Sequence, residues 1–143
     1  MCKTGAEDAG GNCYIICDDI KCSQCLTTSS VCNTCKTTFL LSGGVCSCPS
    51  TSYYSSSDVA CHSCHGTCAT CAGAASTQCS TCIASQNREF NSGTSSCDCK
   101  TAFYPSSSNN DCLACPSACV TCSSSSTCLT CVTSKYLSAS NWC

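Results

Sequence analysis

Charge is sparse in this chain. Six Lys and Arg stand against eight Asp and Glu, for a formal net charge of −2. Phosphate recognition needs clustered cations, and none cluster here, so nucleic acid and anionic membrane surfaces are not expected as partners. Long apolar runs are lacking too. A membrane-spanning helix takes roughly 20 apolar residues, whereas Phe39-Leu40-Leu41 is typical of what this chain offers; no membrane span is expected in it. Met1–Gly10 is polar, and Tyr14-Ile15-Ile16 falls far short of the roughly 7–15 residues of a secretory h-region. Larger apolar side chains (Val, Ile, Leu, Met, Phe, Trp, Tyr) number only 25 of 143 residues. At about 1.5 kcal/mol of ordering entropy per residue, that shortage excludes an ordinary single-core globule. No apolar stripe at a period of 3.6 residues lasts two turns, so almost no helix is expected.

What the chain does have is cysteine. It carries 24, about one residue in six, alongside 45 Ser and Thr. That composition belongs to disulfide scaffolds or metal-binding chains. Without a metal, so many cysteines need an oxidising compartment. The expectation is therefore an extracellular or cell-surface protein, its signal removed or lying in a longer chain.

The cysteines repeat. From Cys61 the spacing is C-x2-C-x3-C-x2-C-x7-C-x2-C-x14-C-x-C, followed by twelve residues to Cys112. The order returns at Cys112, Cys115, Cys119, Cys122, Cys128, Cys131 and Cys143. It also runs through Cys13, Cys17, Cys22, Cys25, Cys32, Cys35, Cys46 and Cys48. The third repeat stops at Cys143, where the second has Cys97-Asp98-Cys99, and Met1-Cys2-Lys3-Thr4 resembles the following Cys99-Lys100-Thr101. Cys2 thus reads as the displaced second cysteine of that pair. The expected organisation is a trailing loop (1–13) and repeats at 14–61, 62–112 and 113–143, the last cut within its C-x-C. Such a phase implies an excerpt of a longer array or a subunit continued head to tail.

This order, with a hairpin-length loop, a close Cys pair and then an aromatic pair (Tyr53-Tyr54; Phe103-Tyr104), resembles furin-like cysteine-rich repeats. Those occur in growth-factor receptors, in R-spondins and, with Ser/Thr-rich loops, in surface proteins of ciliates and other protists. The resemblance implies a small disulfide-rich fold, an elongated rod of three furin-like repeats with short β-hairpins. It also implies a pairing. The first repeat would join Cys17–Cys25, Cys22–Cys32, Cys35–Cys46 and Cys48–Cys61. The second would join Cys64–Cys71, Cys68–Cys79, Cys82–Cys97 and Cys99–Cys112. The third would join Cys115–Cys122, Cys119–Cys128 and Cys131–Cys143, leaving Cys2–Cys13.

Between the bridges, Thr37–Leu41 and Val45-Cys46 around Ser42-Gly43-Gly44 read as strand, turn, strand. Glu89–Gly93 and Lys135-Tyr136-Leu137 read as equivalents. The aromatics are expected to cover adjacent disulfides as small cores. The segment from Cys2 to Cys13 departs from the pattern, with Gly5-Ala6-Glu7-Asp8 where the others have aromatics.

Other chemistries fit less well. Zinc sites separate their Cys pairs by about 12–20 residues, whereas here neighbouring pairs sit three to seven residues apart, so no metal is expected. Cys61-His62-Ser63-Cys64-His65 matches the haem-attachment motif C-x-x-C-H, but attachment would orphan Cys48 and Cys71, and no cofactor is expected. Thiol redox catalysis needs a βαβ context to lower a thiol pKa, which is missing. The two His share five residues, and Asp18, Asp19, Asp58, Asp98 and Asp111 are scattered, so no catalytic residue is assigned. No N-x-[ST] sequon occurs. The runs Ser55–Ser57, Ser106–Ser108 and Ser123–Ser126 read equally as O-glycan acceptors or as bare polar turns. The function expected is a structural unit of an extracellular coat or filament, self-associating head to tail. The alternative is a ligand-binding module of a receptor or surface-antigen ectodomain.

Overall fold

The computed structural model describes residues 16–25 and 30–143, together with the backbone of two short strands before them, β1 (Ala6–Glu7) and β2 (Cys13–Tyr14). The chain divides into two compact units, residues 1–63 and 64–143. Both are built from two-stranded antiparallel hairpins. The one helical element among the described residues is a 3-10 turn at Ala84–Gln86.

Beyond the β1–β2 pair, the first unit holds three hairpins: β3 (Cys22–Cys25) with β4 (Cys32–Cys35), β5 (Leu40–Ser42) with β6 (Val45–Ser47), and β7 (Ser52–Ser55) with β8 (Ala60–Ser63). The second unit repeats this order. Its first three hairpins are β9 (Cys68–Cys71) with β10 (Cys79–Cys82), β11 (Arg88–Asn91) with β12 (Ser96–Cys99), and β13 (Phe103–Pro105) with β14 (Cys112–Ala114). A fourth, β15 (Cys119–Ser124) with β16 (Thr127–Cys131), begins the order again. Each repeat thus has a cysteine hairpin, a middle hairpin and a trailing hairpin, as far as it runs.

The cysteine hairpins share one register. Cys22 faces Cys35 and Cys25 faces Cys32; the same holds for Cys68/Cys82 with Cys71/Cys79, and for Cys119/Cys131 with Cys122/Cys128. In a regular strand, C-x2-C would send its two side chains to opposite faces. Every cysteine hairpin has register shifts between its paired cysteines, and these reset the alternation. Facing cysteines are not joined. One bridge crosses each hairpin diagonally (Cys22–Cys32, Cys68–Cys79, Cys119–Cys128), and the others tie it to the flanking chain (Cys17–Cys25, Cys35–Cys46, Cys64–Cys71, Cys82–Cys97, Cys115–Cys122, Cys131–Cys143). Cys48–Cys61 and Cys99–Cys112 close the trailing hairpins. These eleven pairs are those the resemblance implies; Cys2–Cys13 and the packing of Gly5–Asp8 lie outside the described residues. Loops of this length remove about 2–3 kcal/mol each from the unfolded chain in the loop-closure picture.

Backbone bonds repeat with the sulfurs. The amides of Cys32, Cys79 and Cys128 donate to the carbonyls of Gly44, Ser95 and Asn141, each at 2.8–2.9 Å. Each acceptor residue has positive φ (81°, 52° and 58°) and lies two residues before Cys46, Cys97 or Cys143. The residue after each cysteine hairpin (Lys36, Ile83, Val132) donates to the one before it (Lys21, Thr67, Ala118).

The cores are sulfur. Cys22, Cys32 and Cys46 cluster with Phe39 in the first unit; Cys68, Cys79 and Cys97 form one cluster in the second, and Cys119, Cys122 and Cys128 another. Phe39 is the one buried non-cysteine hydrophobic residue among those described. Tyr104 packs on the Cys119 cluster, but Phe90, Tyr136 and Trp142 are exposed. Aromatic covering therefore holds for Phe39 and Tyr104 and fails for Phe90, Tyr136 and Trp142.

Two local expectations need correcting. The middle hairpin of the first repeat starts at Leu40, because Thr37–Phe39 turns, with the Phe39 amide donating to the Lys36 carbonyl. Its loop is the two glycines alone, both at positive φ, between the facing Ser42 and Val45, as a tight hairpin requires. Lys135–Leu137 forms no strand. The chain there lacks a facing partner and closes instead through Asn141 to Ser138 and Ser138 to Trp142 backbone bonds.

Candidate functional site

In the second unit, an open concavity of about 540 Å³ lies between β11–β12 and the loop of the trailing hairpin. Arg88 organises it. β11 places Arg88 opposite Cys99, and its guanidinium donates from Nη1 to the Cys97 carbonyl (2.6 Å) and from Nε to the Asn110 carbonyl (2.8 Å). Asn87 Nδ2 donates to the Cys112 carbonyl at 3.2 Å, fixing the same loop. Gly66 admits the Asn110 side chain, which any Cβ there would meet. Asp98 accepts from Asn91 Nδ2 (2.7 Å) and Ser96 Oγ (2.8 Å). These two bonds, with the Arg88 charge adding less, hold its carboxyl below the usual range. His65 Nδ1 and Thr67 Oγ1 lie 2.9 Å apart at the wall. Apart from Cys97, every residue bounding this space is polar, so it offers hydrogen bonds.

The first unit has a concavity of similar size, bounded by Ser23, Cys35, Lys36, Thr38, Asp58 and Val59 among others. Here Thr38 Oγ1 accepts from the Cys61 amide at 2.9 Å, the counterpart of the Asn87–Cys112 bond. Asp58 Oδ2 and His62 Nε2 are 2.7 Å apart. A hydrogen bond from Ser55, then one with His62, lowers the Asp58 pKa.

A third concavity, about 330 Å³, brings two expected serine runs together, Ser106–Ser108 and Ser123–Ser125, beside Tyr104 and Leu113. The run hydroxyls pair locally: Ser55 with Ser57 (2.9 Å), Ser106 with Ser108 (3.1 Å) and Ser124 with Ser126 (3.3 Å). The sulfurs of Cys61 and Cys64, which thioether attachment of a haem would use, are bonded to Cys48 and Cys71. The residues that sequence reasoning passed over are Thr38, Asn87, Arg88 and Asn110. The signal was there in part: Arg88 is the chain's single arginine. No helix among the described residues is long and apolar enough to cross a membrane. No family model, no curated protein and no solved structure matches this chain.

Proposed function

We propose that this chain is an extracellular structural protein, an array of furin-like repeats that serves as a building block of a surface coat or filament and continues head to tail. What supports the reading is the junction inside the second unit. There the trailing hairpin of one repeat seats Tyr104 on the Cys119–Cys122–Cys128 cluster of the next, and the Cys115 amide donates to the Ala102 carbonyl at 2.8 Å. A repeat that presents such a seat and accepts one can be continued by another copy, the open-ended arrangement of a heterologous contact. Its surface is hydroxyl-rich and its bridges suit an oxidising exterior. Negative-stain mass per length and sedimentation of the oxidised chain at increasing concentration test this. Linear polymers of constant mass per length are expected; a monodisperse monomer at every concentration would refute it.

The polar concavity around Arg88 and Asn110 favours a second reading, a ligand-binding module of a receptor or surface antigen. A cell-surface binding screen with the labelled chain separates the two. Saturable binding abolished by Arg88→Ala supports the module.

A further inference from the structure

The sulfurs of the first unit are close enough to pass a bond along. Cys46 Sγ lies 3.2 Å from Cys32 Sγ, although the two belong to different bridges. The sulfurs of Cys22, Cys32 and Cys46 all fall within 4.8 Å of one another, and so do those of Cys17, Cys22 and Cys25. Three disulfides thus form one continuous contact: Cys35–Cys46, then Cys22–Cys32, then Cys17–Cys25. At one end, Cys35 borders the open concavity with Lys36 and Asp58. In the middle, Cys46 is fully buried; at the far end, Cys17 and Cys25 are half-buried.

We propose that the first unit carries an intramolecular thiol–disulfide exchange relay, opened at Cys35 by a small zwitterionic thiol and discharged at Cys17 or Cys25. In the first step the external thiolate attacks Cys35 Sγ. A mixed disulfide forms there, the Cys35–Cys46 bond breaks, and the electron pair leaves on Cys46. Cys46 thiolate then attacks Cys32 Sγ; the Cys32–Cys46 bond forms as Cys22–Cys32 breaks, leaving the pair on Cys22. Cys22 attacks one sulfur of Cys17–Cys25, and the other leaves as thiolate and takes a proton. One thiol is consumed and one is released, with no net oxidation.

Two physical facts drive the direction. A thiolate at Cys46 would have no water to solvate it, whereas one at Cys17 or Cys25 does. Neighbouring sulfurs held in contact also react at effective concentrations no dissolved thiol matches. The second repeat provides a contrast, since no such sulfur trio forms among Cys68, Cys79 and Cys97.

The test exposes the intact oxidised chain to reduced glutathione, quenches with acid, labels free thiols and maps every bridge by mass spectrometry. The expected product carries glutathione on Cys35, a Cys32–Cys46 bridge and the label on Cys17 or Cys25. Label on Cys46 with Cys22–Cys32 intact overturns the relay, and so does the lack of any adduct at Cys35. Wherever glutathione opens Cys82–Cys97 in the same sample, the label should stay on Cys97. Shuffling of Cys97 into Cys68–Cys79 would show that sulfur contact is not what matters, and the proposal fails.

Discussion

The two middle hairpins sit in the same disulfide frame but are joined to their trailing hairpins by opposite chemistry. In the first repeat, Phe39 stands just before β5 and meets Tyr54 of β7, their ring centroids 6.1 Å apart, with Lys21 Nζ 6.0 Å from the Tyr54 ring. Leu40 faces Ser47 and Arg88 faces Cys99, so Arg88 occupies in the second repeat the position of Phe39 in the first. Tyr54 faces Cys61 as Pro105 faces Cys112. An aromatic pair in one repeat is thus replaced in the other by a proline and a guanidinium that bonds one loop carbonyl, Asn110, and one strand carbonyl, Cys97. Even the neighbouring link reverses polarity: Thr38 Oγ1 accepts from the Cys61 amide, whereas Asn87 Nδ2 donates to the Cys112 carbonyl. The bridges set the frame, and what fills it can be greasy or polar provided the two positions change together.

The comparison is broken most severely at Phe39. Phe39→Ala empties the one buried non-cysteine hydrophobic position among the described residues and should cost about 3 kcal/mol. Amide exchange of the first unit under non-reducing conditions reads this, with the second unit unchanged. Arg88→Ala removes two charge-assisted bonds at a half-buried site, for a loss of about 2 kcal/mol confined to the second unit. Arg88→Phe should not restore it, because Pro105 offers no aromatic ring to meet; recovery by phenylalanine would show that the two fillings are interchangeable singly. Thr38→Val and Asn87→Ala should each cost about 1 kcal/mol, seen as faster exchange at the Cys61 amide and in the 106–111 loop respectively.

The smallest effect is electrostatic. Asp58 titrates below the ordinary carboxylate range, so the support it gives the fold is complete above that range and is lost as pH falls through the depressed value. Carboxyl carbon NMR should show Ser55→Ala and His62→Ala each raising the Asp58 pKa.

Much of this was legible because cysteine spacing is read directly. The cysteine order marked the repeats and the two-glycine turn announced β5–β6, whereas the strands that carry Cys22–Cys25, Cys68–Cys71 and Cys119–Cys122 were not expected. The register shifts did not show, since an i,i+3 pair says nothing of the bulge that aligns it. Lys135–Leu137 looked like a strand by composition but has no partner segment to pair with. Arg88 was hidden because its bonds go to backbone carbonyls, which leave no trace in side-chain type. The aromatic pairs misled for a related reason. Register puts Tyr53 with Tyr104 and Tyr54 with Pro105, so aligning Tyr53-Tyr54 on Phe103-Tyr104 is one residue out.

Cores of bonded sulfur have a thermal consequence. Unfolding the crosslinked chain exposes little hydrocarbon to water, and hydrocarbon hydration is what gives unfolding its large heat-capacity increment. The stability curve of this chain should therefore be unusually flat, neither falling away in the cold nor collapsing steeply with heat. Scanning calorimetry of the oxidised chain would show it as a heat-capacity step below the roughly 12–15 cal/mol/K per residue of ordinary domains.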